Sequence, residues 1–382
     1  MKICYLNCLY SKGRQEGGIV TYMENVSKAM ADRGHDVVIV TSGPKGKVSF
    51  EGSVKIVSVG KIETFKNGWQ VVSPPYLFRR IMYMLRAASY IRKYSFDVVE
   101  STDGGFEHLF LTYRKNCPVV VRANGLASFR AYVGLPKIVS RFVQMLEGLC
   151  LLRSDGIISP TRSYWDYLSG VYKIKNPHIA IIPNGIRIAP ARAIIDVRKN
   201  YGLQAKKVIL YCGTLEQRKG FDILLRLAQR LSCRDDIVFV VLGKKHHDYK
   251  EIEGCKNILY LGHRASDEVF SFYKACDLFI TLSRLEAGPL NVIESIVCGK
   301  PILGSNVVGV KDEVEDGKNG LLFDIGNEDD LYVKFNRMID DPELLENFGK
   351  ESRRLAEKYD IHNVAQQMEK FYREVISARS CR

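Results

Sequence analysis

The 382-residue sequence predicts an α/β chain of two doubly wound parallel-sheet domains, on three observations. Short apolar strands alternate with amphipathic helical stretches along the chain, the pattern of parallel sheets covered on both faces. The alternation lapses once, over residues 183–199, and then restarts. The length suffices for two separate cores.

In order, residues 2–6 read as the first strand. A loop with Gly13, Gly17 and Gly18 follows, and then Ile19, Tyr22, Met23, Val26, Ala29 and Met30 recur at helical spacing. Gly34 closes that helix, and strands are expected at 37–41, 54–59, 97–100, 119–122, 156–159 and 179–182. Residues 183–199 carry an Asn-Gly turn and little periodicity, which marks a linker. The pattern resumes with a strand at 208–211, a helix from Phe221, and strands at 237–242, 258–261, 278–281, 301–304 and 320–323. Residues 363–376 are helical, with Val364, Met368, Phe371 and Val375 on one side.

Hydrophobic content of 46% and charged content of 26% are ordinary for a soluble globular protein. The first residues are too short an apolar stretch for a signal peptide, and no run approaches a transmembrane span. The ten cysteines are scattered singly without a Cys-x-x-Cys pair, as expected of buried thiols in a reducing compartment. The expected location is cytoplasmic. The seven histidines show no metal-ligand spacing, and His246-His247 reads as a surface loop. The net charge of +13 is uneven. Residues 1–190 carry 26 Lys and Arg against 13 Asp and Glu, whereas residues 191–382 balance at 30 and 30. The first half therefore suits an anionic partner.

Residues 283–301 hold the densest chemistry. Pro289 suits the first turn of a helix, Gly299 its left-handed end, and Pro301 a stop. Leu290, Ile293 and Val297 are expected on its apolar face. Glu286 then precedes the helix and Glu294 lies a turn inside it. The helix N-terminus beside them offers backbone N–H groups to an anion. A seat for phosphate flanked by carboxylates for hydroxyls matches a nucleotide sugar. At residues 211–220 a strand ends in Gly213 and Thr214, followed by Arg218, Lys219 and Gly220. The cations there can meet a diphosphate, although a solvated basic turn has the same pattern. Gly17-Gly18 follows a strand and opens a helix, a position for phosphate or sugar or a plain turn. It is not a dinucleotide fingerprint. Asp277 reads as a turn or cap residue. Residues 76–94 read as a helix with Arg79, Tyr83, Arg86, Tyr90 and Lys93 on one stripe and Phe78, Met82 and Leu85 elsewhere. That stripe suits an anionic membrane surface, a phosphate-bearing acceptor or simple solvation.

Taken in order, these segments resemble the retaining glycosyltransferase family four (glycosyl transferases group 1) over nearly the whole chain. The resemblance rests on Glu286-x7-Glu294 running to Pro301, on Gly17-Gly18, and on the Ile182-Pro-Asn-Gly-Ile186 segment. It rests also on the Gly213 to Gly220 turn, on Tyr260-Leu-Gly262, on Ala275-Cys-Asp277, and on Gly317-x-x-Gly320-Leu-Leu-Phe323. It implies the GT-B fold, two Rossmann-like domains facing a central cleft. The domains would be an acceptor-binding one over 1–190, joined by a returning helix at 363–382, and a nucleotide-sugar-binding one over 191–362. It further implies that Lys219 holds the donor diphosphate, Glu294 the ribose and Glu286 the transferred hexose. Backbone N–H groups near Leu290 and Asn291 would meet the phosphates, and Gly18 would line the cleft. No metal is implied, and the donor would be a UDP- or GDP-sugar. The acceptor would be a glycan or lipid-linked sugar in polysaccharide or glycoconjugate synthesis, at the cytoplasmic membrane face through Arg79, Arg86 and Lys93. Two positions depart from the family. Thr214 stands where Arg is frequent, with Arg218 nearby, and Asn124 stands where His is common. Asn can bond a sugar hydroxyl but carries no charge. Two other readings stay open: a sugar-nucleotide epimerase of the same fold, and a non-catalytic basic protein binding membrane or nucleic acid. No nucleic-acid module is otherwise apparent.

Overall fold

The computed structural model describes residues 1–10, 17–62, 74–103, 106–113, 116–125, 137–175, 178–188, 195–245 and 249–380. Gly13, His246, His247 and part of the expected linker lie outside them. The chain divides into two compact units, Met1–Gly185 with Ile361–Arg382, and Ile186–Asp360.

The first unit holds strands β1 (Lys2–Leu6), β2 (Asp36–Thr41), β3 (Val48–Glu51), β4 (Val54–Ser58), β5 (Val98–Thr102), β6 (Val119–Arg122), β7 (Gly156–Ser159) and β8 (Ile179–Ile181). They form one sheet in the order β3-β4-β2-β1-β5-β6-β7-β8. All pairs are parallel except β3 with β4. The sequence reading missed β3 because its side chains are exposed or half-buried, so it lacks an apolar run. Its helices are α1 (Gly18–Asp32), α2 (Pro74–Lys93), α3 (Lys137–Leu152) and α4 (Arg162–Tyr172).

The second unit contains α5 (Val197–Asn200), β9 (Lys207–Cys212), α6 (Phe221–Arg230), β10 (Ile237–Leu242), β11 (Ile258–Gly262), α7 (Ser266–Ala275) and β12 (Leu278–Thr281). It continues through α8 (Leu290–Val297), β13 (Ile302–Ser305), α9 (Val310–Glu313), β14 (Gly320–Phe323), α10 (Glu328–Ile339) and α11 (Pro342–Leu355). Its sheet is wholly parallel, in the order β11-β10-β9-β12-β13-β14. The last helix, α12 (Ile361–Ser380), belongs to the first unit.

Strand alternation sorts the cores. In β1, Ile3 and Tyr5 face α1 and α12, while Cys4 and Leu6 face α2. In β9, Ile209 and Tyr211 face α6 and α10, while Val208 and Leu210 face α7 and α8. β1 and β9 are therefore apolar on both faces, the composition expected of strands inside buried parallel sheets.

One polar network crosses the first core. Glu100 of β5 accepts Tyr22 Oη of α1 at 2.7 Å and Tyr372 Oη of α12 at 2.5 Å. The guanidinium of Arg122, fully buried on β6, lies 4.5 Å from the centre of the Tyr22 ring and donates to Pro183 O at 3.0 Å and Asn184 Oδ1 at 2.8 Å. Burial pushes the Glu100 carboxyl up, and Arg122 and the two tyrosines oppose that rise. A buried carboxylate is tolerated only with such donors.

Asp277 is more than a turn residue. Its two carboxylate oxygens both accept from Arg198 Nη2, at 2.7 and 2.8 Å, and Oδ2 also accepts Val208 N at 2.7 Å. It thereby fastens α5 to the start of β9.

Replacing Tyr372 by Phe leaves Glu100 short of a donor and is expected to destabilise the first unit by about 1–3 kcal/mol. Trp165, buried on α4, reports on that unit. Urea unfolding followed by tryptophan fluorescence measures the loss.

Candidate active site

The carboxyl ends of β9, β12 and β13 gather the second unit's functional side chains, the edge where open α/β sheets bind ligands. After β9 the chain turns through Gly213 and Thr214 into a short 3-10 turn, Gln217–Lys219, that carries Arg218 and Lys219. Gly220 closes this turn at φ 72°, where a side chain would place Cβ 1.9 Å from Leu282 O. Only glycine lets the turn lie on the end of β12. Arg284 N donates to Arg218 O at 2.9 Å, and the Arg284 guanidinium bonds both Asp222 oxygens at 2.8 Å. Gly309, at φ 83°, gives the same close approach on the other side, with its would-be Cβ 2.3 Å from Glu286 O.

Those approaches bring Lys219 Nζ onto Glu286 Oε1 in an ion pair, which Ser283 Oγ joins at 2.7 Å. Glu286 is 7% exposed. Burial alone would raise its carboxyl, but the Lys219 and Arg218 charges outweigh it and hold the group below its usual range. Arg218 also pairs with Glu216 at 2.6 Å.

Helix α8 starts beside this pair. Pro289 is its N-cap and Leu290 its first residue, so the proline stands one position earlier than a first-turn proline. Its packed face is Val292, Ile293 and Ile296, whereas Leu290 and Val297 are only half-buried. The expected Leu290–Ile293–Val297 stripe is therefore rotated, because the helix packs against both the sheet and α7. The N–H groups of Leu290 and Asn291 have no partner among the described residues. Asn291 Nδ2 bonds Cys212 O at 2.9 Å and so ties the helix start to the end of β9. Glu294 accepts Tyr273 Oη at 2.9 Å, and Tyr273 also reaches Asn291 O at 3.0 Å. Burial raises the Glu294 carboxyl to about 7, against the pull of the Tyr273 bond. The two glutamates thus differ in kind: Glu286 is ionised against a lysine, and Glu294 is poised near neutrality.

Gly213, Thr214, Arg218, Lys219, Glu286, Leu290, Asn291 and Glu294 are all on this edge. Tyr273, Ser283 and Gly309 were missed as supports, and Gly220 was read only as part of the turn. Tyr273 and Ser283 sit in segments that read as ordinary helix and loop, and nothing in their spacing sets them apart.

Gly17, Gly18 and Asn124 belong to the first unit. Gly17, at φ 103°, caps α1 and accepts Val20 N at 3.0 Å. Asn124 follows β6, and its N donates to Asp103 Oδ1 at 3.2 Å. Both polar atoms of its side chain are buried without a partner among the described residues. Asp103, missed in the sequence, sits at the end of β5. Burial and then the Glu147 charge lift its carboxyl to about 7. Among the described residues, no three His, Cys, Asp or Glu side chains are grouped to hold a metal ion.

The family model described as glycosyl transferases group 1 matches residues 194–355, and that described as glycosyltransferase family 4 matches residues 16–190. Together the two models cover most of the chain, which is similar to the group 1 glycosyl transferases over its second half and to glycosyltransferase family 4 over its first. An uncharacterized glycosyltransferase of Methanocaldococcus jannaschii is 29% identical to this chain, over 44% of the chain and 48% of its own length. The chain spans about half the length of the first curated relatives it matches. Sucrose-phosphate synthase from Thermosynechococcus elongatus superposes with a TM-score of 0.82 at 19% identity, over 99% of both chains. Anabaena HepE, solved with UDP-glucose, gives 0.73 at 17% identity, over 99% of this chain and 100% of that one. The fold of the chain is GT-B, with two parallel-sheet α/β domains.

An acid whose folded pKa is about 7, against about 4.3 unfolded, binds a proton in the folded state that the unfolded chain has lost. The Glu294 contribution to stability is therefore whole below pH 4.5 and falls away as the pH rises to 7. Glu294→Gln, which mimics the neutral acid and keeps an acceptor for Tyr273, should match wild type at about pH 4. At pH 8 it should be more stable by on the order of 1 kcal/mol, since the residue remains partly reached by solvent. Paired thermal melts at the two pH values measure this.

Proposed function

We propose that this glycosyltransferase moves a hexose from a nucleoside-diphosphate sugar to a glycan or lipid-linked acceptor, with retained anomeric configuration and without a metal. The observation that carries the reading is the convergence of Lys219, the open N-terminus of α8 and two unlike glutamates on one sheet edge. The Anabaena neighbour solved with UDP-glucose supports a UDP-sugar donor; a GDP-sugar fits the same groups.

In this reading the diphosphate draws Lys219 away from Glu286 and meets the N–H groups of Leu290 and Asn291, with Arg218 adding charge and Gly213 and Thr214 lining the turn. Glu294 accepts the ribose hydroxyls. Glu286, released from the lysine, takes hydroxyls of the hexose. The bond from the anomeric carbon to the diphosphate oxygen breaks, and the acceptor oxygen bonds the same face of that carbon. The acceptor proton passes to the departing diphosphate. Glu286 and Lys219 therefore orient the sugar and stabilise the leaving group, and neither acts as a hydrolytic acid–base pair.

The donor class is tested by thermal shift against UDP, GDP, ADP and their sugar conjugates, where one nucleotide should stabilise the protein clearly. With that donor, Lys219→Ala and Glu286→Ala should each lower kcat/KM by about 100-fold or more. Chelator should leave the rate unchanged, and NMR of the product should show the donor's anomeric configuration. Full activity in either variant, or donor consumed without acceptor as in an epimerase, overturns the assignment.

A further inference from the structure

The first unit carries a surface that the transfer chemistry does not use. On α2 the expected cation–tyrosine stripe is corrected, because Tyr83 is buried at 1% while Phe78 is 65% exposed, with Ile81 and Leu85 beside it. Arg79, Arg86 and Lys93 are exposed along the same helix. On α3, Ile138 is 80%, Met145 59% and Phe142 56% exposed, flanked by exposed Lys137 and Arg141. Large apolar side chains spaced i, i+3, i+4 and i+7 on the outer face of a helix are the reverse of a solvated face.

The two helices share one layer. The crossovers β4–α2–β5 and β6–α3–β7 run the same way across the sheet, so right-handedness sets both helices on the face opposite α1 and α12. Residues 106–113 join them. Arg92 of α2 donates to Phe110 O at 2.5 Å, and the Arg153 guanidinium, just past α3, lies 4.3 Å from the centre of the exposed Tyr113 ring.

Charge identifies the occupant. Helix α2 contains no Asp or Glu, and the one acid of α3, Glu147, is buried and accepts Tyr172 Oη at 2.7 Å. The face thus sets apolar side chains among cations of a single sign. The core of a protein interface is depleted of lysine, whereas long cationic chains beside inserted apolar groups suit anionic headgroups. We propose that the outer face of α2 and α3 is a docking surface for an anionic lipid bilayer, with Phe78, Ile81, Phe142 and Met145 entering the interface and Arg86, Lys93 and Arg141 meeting the headgroups. Among the described residues no helix is long and apolar enough to cross a membrane, so this contact would lie on the surface. The proposal stands apart from the transfer reading, since binding to vesicles needs neither donor nor acceptor.

Co-sedimentation of the full chain with phosphatidylcholine vesicles, with and without phosphatidylglycerol, tests it. Wild type should pellet only with the anionic vesicles and be released by high salt. R86Q/R141Q should weaken the partition roughly 25-fold, at about fivefold per cation, and F78S/F142S should lose it while melting like wild type. Absence of wild-type binding, or wild-type binding in both variants, overturns the proposal. So does a wild-type dimer that F78S/F142S makes monomeric, which assigns the face to a second copy of this chain.

Discussion

A carboxylate buried at a sheet edge is costly unless it is paired, and the second domain is arranged around meeting that cost at Glu286. Lys219 must come from the turn after β9 and Ser283 from the end of β12, while the backbone after β13 must close over the glutamate. Each approach is closer than a side chain permits, which is why Gly220 and Gly309 stand where they do. The pair stores one charge of each sign on the edge that parallel strands leave open. An incoming diphosphate would exchange one anion for another at Lys219, a substitution that needs little rearrangement.

The first domain meets a similar cost with a different purpose. Glu100 sits within the core, and its donors come from α1 and from α12, helices separated by more than three hundred residues. The bonds give α12 a specific seat among apolar contacts that alone specify position loosely. They also make the first domain depend on the chain's last helix, so the two domains are interleaved in sequence although each has its own sheet. Arg122 adds a tie from β6 to the segment at Pro183 and Asn184, where the chain leaves this domain.

Two helices of the same domain break the usual order of burial. Phe78 and Phe142 point outward while Tyr83 fills the core. Tyr83 lies under the helix because it meets the apolar side chains of β1, β2 and β5. Placing the polar-tipped ring inside and the phenylalanine outside fits the docking role proposed for that face.

The sequence by itself determined the alternation of strand and helix, the two-domain division and the order of the group 1 motifs. Local chain chemistry is enough for these: strands buried on both faces read as apolar runs, and glycine, proline and paired cations mark turns where they stand. It also pointed to Glu286 and Glu294 through their spacing, and to Lys219 through the family resemblance of the Gly213–Gly220 turn. Only the tertiary structure decided that Lys219 and Glu286 pair, that Tyr273 holds Glu294, and that Asp103 meets the backbone of Asn124. It alone also turned the expected stripe of α2. Those outcomes depend on which strand ends lie side by side and on which side of a helix the sheet falls. Neither is written in the local pattern, since an amphipathic period fixes the spacing of a face without saying which face is covered.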